Sequence, residues 1–176
     1  MDRGGLIGRR GLLAGLAGAV MLPVPGLASQ LRPAPNRAAG ETPSGQPVPR
    51  FVSLRSDRVN GRAGPSTAYP IRWVYRREGL PVKVIAETET WRRIEDPDGA
   101  VVWVARQNLS SRRTAIARPI RDPQVAMHAD ASSDARVLAR LSDGVIVDVR
   151  SQRSAWVEVR AADHRGWVIS TELWGV

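Results

Sequence analysis

The sequence predicts an all-β protein made of two small barrels that follow one another along the chain. One pattern of residues occurs twice, since Trp91 returns as Trp156 and Trp103 returns as Trp167, with almost the same spacing between the two tryptophans in each copy. Short runs of β-branched residues alternate with turns rich in glycine and proline, which is typical of strands joined by tight connections. The first copy contains no helical pattern of useful length.

The N-terminal segment at 1–28 has the features of an export signal. Arg9 and Arg10 precede an apolar run at 11–22, and small residues follow at 26–28. This run is shorter than the roughly 20 apolar residues needed to cross a bilayer, so the processed protein is expected not to be transmembrane. We therefore expect a periplasmic or secreted protein. The paired arginines leave a twin-arginine signal and an ordinary export signal both open.

Residues 29–49 are expected to form a disordered, Pro-rich linker. The segment contains five prolines and two glycines, and it cannot bury enough apolar surface to offset the entropy of ordering. Two domains are expected to follow, at 50–112 and 119–176. Each copy of the repeat is near the lower size limit for independent folding, and the chain has no cysteine. We therefore expect the two copies to pack on each other.

The charge pattern argues against a nucleic-acid partner. The chain has 26 basic and 17 acidic side chains, a net charge of +9, but acidic residues are dispersed among the basic ones. A nucleic-acid-binding surface requires basic residues clustered on one face. A modest positive field is compatible with an anionic envelope polymer or lipid headgroup.

The residue pattern of the first copy predicts a series of short strands. The clearest is 80–86, in which Val82 and Val84 share one face. Further strands are predicted at 71–75, 91–95 and 100–105. The sequence Asp-Pro-Asp-Gly at 96–99 predicts a tight turn between the last two strands.

The ordered set of motifs resembles the bacterial SH3-like domain family. The first copy carries Val59-Asn60-x-Arg62-x-Gly64-Pro65-Ser66, Gly79 before a Val-x-Val strand, Trp91-x-x-Ile94 and Trp103-Val104, and the second copy matches from Val125 to Leu173. The resemblance implies two tandem SH3-like barrels of five strands each. It also implies a non-catalytic binding role, and some relatives bind peptidoglycan peptides. The second copy departs from the pattern at 129–134, which puts in question a binding role for its first loop.

Aromatic residues of the first copy are the candidate ligand-binding groove. Trp73 and Tyr75 share a strand face because they are two residues apart. Tyr69 lies in the long loop before them, and Arg72 could contact a carboxylate. Trp91 resembles the tryptophan that lines the peptide groove of SH3 domains. An exposed indole recognises extended or Pro-rich peptides through apolar contact and one N–H donor.

Alternative roles exist for the tryptophans. Trp91 and Trp156 each share a strand face with a charged residue, so we expect both indoles to be partly exposed. Capping of the barrel rim is the alternative for Trp91 and the favoured interpretation for Trp156. Trp103 and Trp167 alternate with small or branched apolar residues and are predicted to pack in the core or between the domains.

The residues do not form a catalytic or metal-binding set. The chain has no cysteine, and His128 and His164 are isolated in the sequence. A serine triad needs a histidine between nucleophile and acid, and a zinc site needs more ligands than two histidines. We therefore predict a protein without enzymatic activity, cofactor or metal, whose first barrel binds an extended peptide of peptidoglycan or of an envelope protein. The alternative is a structural or assembly role, with the aromatic residues packed between the barrels.

Overall fold

The computed structural model describes residues 42–176, and these residues form two antiparallel β-sheets. The predicted all-β fold of two tandem units is confirmed. Each sheet contains seven strands rather than the predicted five. The predicted export signal at 1–28 and the linker residues at 29–41 lie outside the described residues.

The first sheet spans residues 50–110 and encloses the first core. Its strands are β1 Arg50–Leu54, β2 Val59–Arg62, β3 Ile71–Tyr75, β4 Pro81–Glu87, β5 Trp91–Glu95, β6 Val101–Ala105 and β7 Leu109–Ser110. Their order in the sheet is β3-β2-β6-β5-β4-β1-β7. A single 3-10 turn, Arg106–Asn108, connects β6 to β7. Val82 and Val84 are fully buried on the inner face of β4, as the alternating pattern predicted.

The second sheet repeats the topology of the first. Its strands are β8 Thr114–Ala117, β9 Gln124–His128, β10 Val137–Ser142, β11 Ile146–Arg153, β12 Trp156–Ala161, β13 His164–Ile169 and β14 Leu173–Trp174. Their order is β10-β9-β13-β12-β11-β8-β14, which is the order of the first sheet displaced by seven strands. The sequence repeat is therefore a repeat of structure.

The two additional strands in each sheet lie at the ends of the repeat. β1 pairs with β4 and β7, and β8 pairs with β11 and β14. Since β8 begins at Thr114, the second sheet starts before the boundary at 119 that the sequence suggested.

The predicted disorder does not extend to residues 42–49. Ser44 donates its backbone N–H to Glu87 at 2.8 Å, and Val48 packs against the first core. Arg50 also donates to the Pro47 carbonyl at 3.2 Å. These contacts with the first barrel supply the stabilisation that composition alone did not predict.

The connection before the central strand of each barrel is built on a glycine. Gly79 has φ +73° and Gly144 has φ +79°, a backbone conformation that costs little only for glycine. Gly79 donates its N–H to the Leu54 carbonyl, and Gly144 donates to the Ala117 carbonyl, both at 2.9 Å. The two turns are thus equivalent in geometry as well as in sequence.

The two barrels pack against each other, as predicted. The Thr114 hydroxyl donates to the Gly79 carbonyl at 2.7 Å in a buried position. Phe51 meets Trp174 edge to face, with ring centroids 5.0 Å apart. Ile116 belongs to the core cluster of the first barrel, although β8 is a strand of the second sheet.

Trp103 and Trp167 were predicted to pack in the core or between the domains, and the structure excludes them from the core. Both indoles are half-buried, whereas the neighbouring Val104 and Val168 are fully buried. Because successive side chains of a strand point to opposite faces, the valines occupy the core and direct the indoles outward. Arg153 lies over the Trp167 ring at 5.1 Å from its centroid.

Helical structure contributes little to the part of the chain that the structure describes. Within residues 42–176 no helix is long and apolar enough to cross a membrane.

Candidate functional site

A cleft between the two barrels is the candidate binding site, and we call it the inter-barrel cleft. It has a volume of about 430 Å³. The residues that line it are Trp73, Val74, Tyr75, Arg76, Arg77, Leu80, Asp96, Pro97 and Asp98 from the first barrel and Ile116, Arg118, Asp143 and Gly144 from the second.

Trp73 is the most exposed large aromatic side chain of the cleft. It lies on β3, an edge strand of the first sheet, and 54% of its surface is accessible. Its partner on β2 is Gly61, which has no side chain to cover the indole. A Cβ on Gly61 would lie 2.7 Å from Val102 and 3.3 Å from the Tyr75 ring. The edge position of β3, together with the missing side chain at Gly61, leaves most of Trp73 uncovered.

Tyr75 forms the buried floor beside Trp73. The two ring centroids are 6.4 Å apart, which confirms that the residues share a face. Only 4% of Tyr75 is exposed, and its hydroxyl donates to Asp96 at 3.1 Å. Burial, together with the charge of Asp96, raises the pKa of Tyr75 well above its usual value. The phenol is therefore neutral at physiological pH and remains a hydrogen-bond donor.

Asp96 fixes the turn that forms one wall of the cleft. Its Oδ1 accepts the backbone N–H of Asp98 at 3.0 Å and that of Ala100 at 2.8 Å. Gly99 completes the turn with φ +87°. One buried carboxylate thus accepts hydrogen bonds from both the turn and the Tyr75 hydroxyl, which stabilises this wall without a ligand.

The rim of the cleft carries charges of both signs. Arg118 of the second barrel lies 2.7 Å from Asp98 and 3.6 Å from Asp143. Arg77 donates to the Gly144 carbonyl at 2.6 Å. The Arg118–Asp98 and Arg77–Gly144 contacts join the barrels across the cleft. Together with Asp143 they place polar groups around an apolar floor. Such an arrangement can orient a polar backbone while an apolar side chain contacts the indole.

The structure brings Trp73 and Tyr75 together but separates them from the other predicted groove residues. Tyr69 is 47% exposed and lies outside the cleft, with its ring against Gly64. Arg72 is exposed and alternates with Trp73 along β3, so it points to the other face.

Trp91 also lies away from the cleft. It is half-buried on β5, three positions from β3 in the order of the first sheet. It pairs with Ala105 of β6. Its partial exposure agrees with the prediction from its charged neighbour, but a ligand role for Trp91 stays a prediction.

Comparison with known families decides which family the repeat represents. The family model described as bacterial SH3 domain matches the chain twice, at residues 55–111 and 121–175. The chain belongs to the bacterial SH3 domain family. Each match falls on one of the two sheets, so the tandem SH3 organisation indicated by the resemblance is confirmed. No curated protein gives a significant match to the chain.

Several solved structures resemble this tandem SH3 protein at low identity. NlpC2 from Trichomonas vaginalis is 7% identical with a TM-score of 0.32, and the match covers 72% of this chain and 48% of that one. NlpC1 from the same organism is 8% identical with a TM-score of 0.32, covering 71% and 45%. An NlpC/P60 family protein from Bacillus cereus is 10% identical with a TM-score of 0.32, covering 70% and 55%. The chain thus spans about half the length of the structures that it matches.

The second SH3 domain has a cleft of its own around Trp156. It has a volume of about 600 Å³ and is lined in part by Ile120, His128, Trp156 and Ile169. The His128 ring meets the Trp156 ring edge to face at 5.3 Å, and His128 Nδ1 lies 2.9 Å from the Ala135 carbonyl. Trp156, for which rim capping was the favoured interpretation, is half-buried and borders this open space.

The sequence did not point to the residues that the second SH3 domain contributes to the inter-barrel cleft. Ile116 and Arg118 lie in and just after β8, a strand that precedes the repeat pattern. Asp143 and Gly144 form the turn before β11, and their sequence does not indicate that this turn borders the first barrel. Among residues 42–176, no group of three or more His, Cys, Asp or Glu side chains is placed to hold a metal ion.

Proposed function

We propose that this tandem SH3 protein is an exported, non-catalytic binding protein whose inter-barrel cleft binds an extended peptide of the cell envelope. The peptide belongs either to peptidoglycan or to an envelope protein. The observation that carries the proposal is the exposed indole of Trp73, 54% accessible over a cleft with an apolar floor. The signal-like features of the segment at 1–28 support export.

The composition of the cleft supports a peptide rather than a compact apolar ligand. Leu80 and Ile116 line the cleft but are only 8% and 3% exposed, so Trp73 offers more apolar surface to a ligand than they do. Arg118 and Asp98 line the rim and pair with each other at 2.7 Å. An extended peptide presents apolar side chains and backbone polar groups in alternation. Its apolar side chains could contact the indole, and its backbone could bond to the donors and acceptors of the rim.

A structural role is the second candidate, and one observation favours it. Phe51 and Trp174 pack edge to face at 5.0 Å between the two barrels, so aromatic packing does help to join the domains. In that case the second SH3 domain would hold the first in place. Trp73 and Tyr69 stay exposed, and a purely structural role gives no reason for these exposed rings.

Pull-down of the full chain tests the proposal, with purified peptidoglycan in one arm and immobilised membrane-protein extract in the other. Trp73→Ala is expected to weaken retention about tenfold, since burial of an aromatic side chain contributes more than about 1.4 kcal/mol. Tyr69→Ala is the matched control because it removes another exposed ring outside the cleft. Melting temperatures should change little in both variants.

The arm that retains the protein identifies the ligand class. Loss of retention in Trp73→Ala, with Tyr69→Ala unchanged, would support the cleft. Equal retention by wild type and Trp73→Ala in both arms would refute it. Loss of retention in Tyr69→Ala alone would indicate that the ligand binds at the loop that contains Tyr69, as the sequence suggested.

A further inference from the structure

One side of the strand β3 has no partner in the fold, and we call it the free edge of β3. β3 lies at the end of the first sheet and pairs only with β2. An antiparallel strand directs alternate backbone groups to opposite sides, so part of the β3 backbone faces away from β2. Among residues 42–176, no backbone hydrogen bond outside the β2–β3 ladder reaches residues 71–75. The outward backbone groups of β3 are therefore available to another chain.

The inter-barrel cleft runs along this free edge rather than over one face of the sheet. Trp73, Val74 and Tyr75 follow one another in β3, and all three line the cleft. Since successive side chains of a strand point to opposite faces, a cleft over one face would be lined by alternate residues. The pairing with β2 is regular from Trp73 to Tyr75, and its register shifts before Trp73. The regular part of β3 thus borders the cleft.

The second SH3 domain shows that the fold does not require an indole at position 73. The edge strands of the two sheets pair with their neighbours in the same register, which places Trp73 opposite Gly61 and Ala139 opposite Met127. Met127 is fully buried, whereas Trp73 is 54% exposed. The large side chain of this pair therefore fills the core in the second domain and lies outside the core in the first. An added chain can cover the exposed ring.

One charged side chain of the cleft, that of Arg76, has no partner. The other charged side chains that line the cleft form hydrogen bonds or ion pairs. Arg76 follows β3 directly and is exposed, and among the described residues it forms neither an ion pair nor a hydrogen bond. An acidic side chain on a neighbouring strand can pair with such an arginine.

We propose that the ligand of the inter-barrel cleft is an extended protein segment that pairs with the free edge of β3 as an additional strand. Main-chain hydrogen bonds hold such a segment, and its alternating side chains determine which segments fit. An apolar residue of the segment covers Trp73, and an acidic residue pairs with Arg76. This inference rests on the proposed binding role of the cleft. It selects an envelope protein over peptidoglycan, because the D-residues of peptidoglycan peptides interrupt a regular strand.

A short peptide in which valine alternates with glutamate is the probe, and calorimetry measures its binding to the full chain. We expect saturable binding. The same peptide methylated at its backbone nitrogens keeps the side chains but cannot donate main-chain hydrogen bonds, so it should bind at least about tenfold more weakly. A peptide of the same composition, with valines and glutamates in separate blocks, should also bind more weakly, because its side chains no longer alternate between two faces.

A charge reversal at Arg76 tests the predicted cross-strand pair. Arg76→Glu should weaken binding of the alternating peptide about fivefold, since it replaces an attractive pair with a repulsive one. Arg140→Glu is the matched control, because Arg140 is an exposed arginine of β10, the edge strand of the second sheet. Equal weakening by both substitutions would contradict the proposal, since binding would then depend only on net charge.

Backbone amide signals of the wild type keep the test independent of how the variants fold. In a ¹H–¹⁵N spectrum, signals from Trp73 to Tyr75 should shift saturably with the alternating peptide, and their hydrogen exchange should slow, while those of Ala139 and Arg140 stay unchanged. Absence of this response, or equal binding of the methylated peptide, would overturn the strand pairing. Shifts that depend on protein concentration without peptide would assign the edge to a second copy of the chain and would also reject the proposal.

Failure of the strand pairing is distinguishable from failure of the cleft as a binding site. If Trp73→Ala loses retention in the pull-down but the β3 amides do not respond to the peptide, the cleft proposal stands and only the strand pairing is rejected. If Trp73→Ala is retained like the wild type and the amides do not respond, both proposals are rejected.

Discussion

Trp73 is exposed because β3 is an edge strand, on which residues 71–74 are all exposed. Gly61 provides no side chain, and the space that a Cβ would need is taken by Val102 and Tyr75. The indole therefore has the Tyr75 ring as its neighbour on one side and the open cleft on the other. A large exposed ring beside a buried one is suited to binding, because a ligand can cover its apolar surface.

At the residue scale, the low pKa of Glu87 leads us to expect that the protein loses stability in acid. Burial alone would raise its pKa, but hydrogen bonds from Ser44 and Arg50 outweigh burial and lower it from the ordinary 4.5 to about 2. Because the folded-state pKa is depressed, this stabilisation is fully present above pH 4.5 and is lost as the pH falls toward 2. The free energy of unfolding, measured by urea titration, should therefore decrease across that window.

Two substitutions distinguish the effect of Glu87 on stability from that of the other carboxylates. Glu87→Gln should lower the free energy of unfolding at neutral pH by about 3 kcal/mol, since it leaves buried arginines without their partner. It should also flatten the decrease between pH 4.5 and 2. Asp134→Asn, on an exposed loop residue, should change neither. An unchanged pH profile in Glu87→Gln would show that Glu87 does not cause the loss of stability in acid.

At the scale of the element, the turns before the central strands are the most sensitive to backbone conformation. Gly144 has φ +79°, so Gly144→Ala should destabilise the protein by about 1 kcal/mol. Ser154, in the β11–β12 turn, has φ +53°, so Ser154→Gly should relieve strain there and be neutral or slightly stabilising. Thermal unfolding of both variants provides the check, and a Gly144→Ala variant as stable as the wild type would contradict this account of the turn.

The sequence predicted the elements whose signals are local. β3 and β5 were placed at 71–75 and 91–95 as the structure has them, because each has strand-forming residues bounded by turn residues. β1 and β8 were missed, since each precedes the repeat and gains its strand pairing from residues distant in sequence. The outward position of Trp103 was also missed, because adjacent valines and an indole are equally apolar and alternation does not say which face is the core.

The candidate site was only half predictable. Trp73 and Tyr75 were paired correctly by their spacing of two, and the structure places both at one cleft. The other half of that cleft comes from Ile116, Arg118 and Gly144 of the second barrel. These contacts depend on how the barrels pack, which composition and periodicity do not encode in a local pattern.

At the scale of the whole molecule, β8 joins the two barrels into one unit. All four of its residues are buried, although a strand at the surface of a small barrel usually buries one face. Ile116 belongs to the first core, whereas Ala115 and Ala117 belong to the second. One face of β8 therefore completes the first core and the other face completes the second core. This sharing explains how two very small domains without disulfides can stabilise each other.

This shared strand predicts that the barrels unfold together. Ile116→Ala should lower the free energy of unfolding by about 3 kcal/mol, the usual cost of a large-to-small change in a core, within a single transition. Ile120→Ala is the control, because Ile120 is 64% exposed and surface changes have small effects. Two separate transitions in calorimetry, with only one shifted by Ile116→Ala, would show that the barrels are independent.

The binding account is tested most directly by the indole N–H signals of the six tryptophans in a ¹H–¹⁵N spectrum. Soluble fragments released from purified peptidoglycan are added to the full chain, and peptides from captured envelope proteins follow in a second series. We expect the Trp73 signal to shift saturably with one of these ligands, while the Trp91 and Trp103 signals move little. Saturable binding that shifts Trp91 or Trp156 and leaves Trp73 unmoved would contradict the inter-barrel cleft as the binding site.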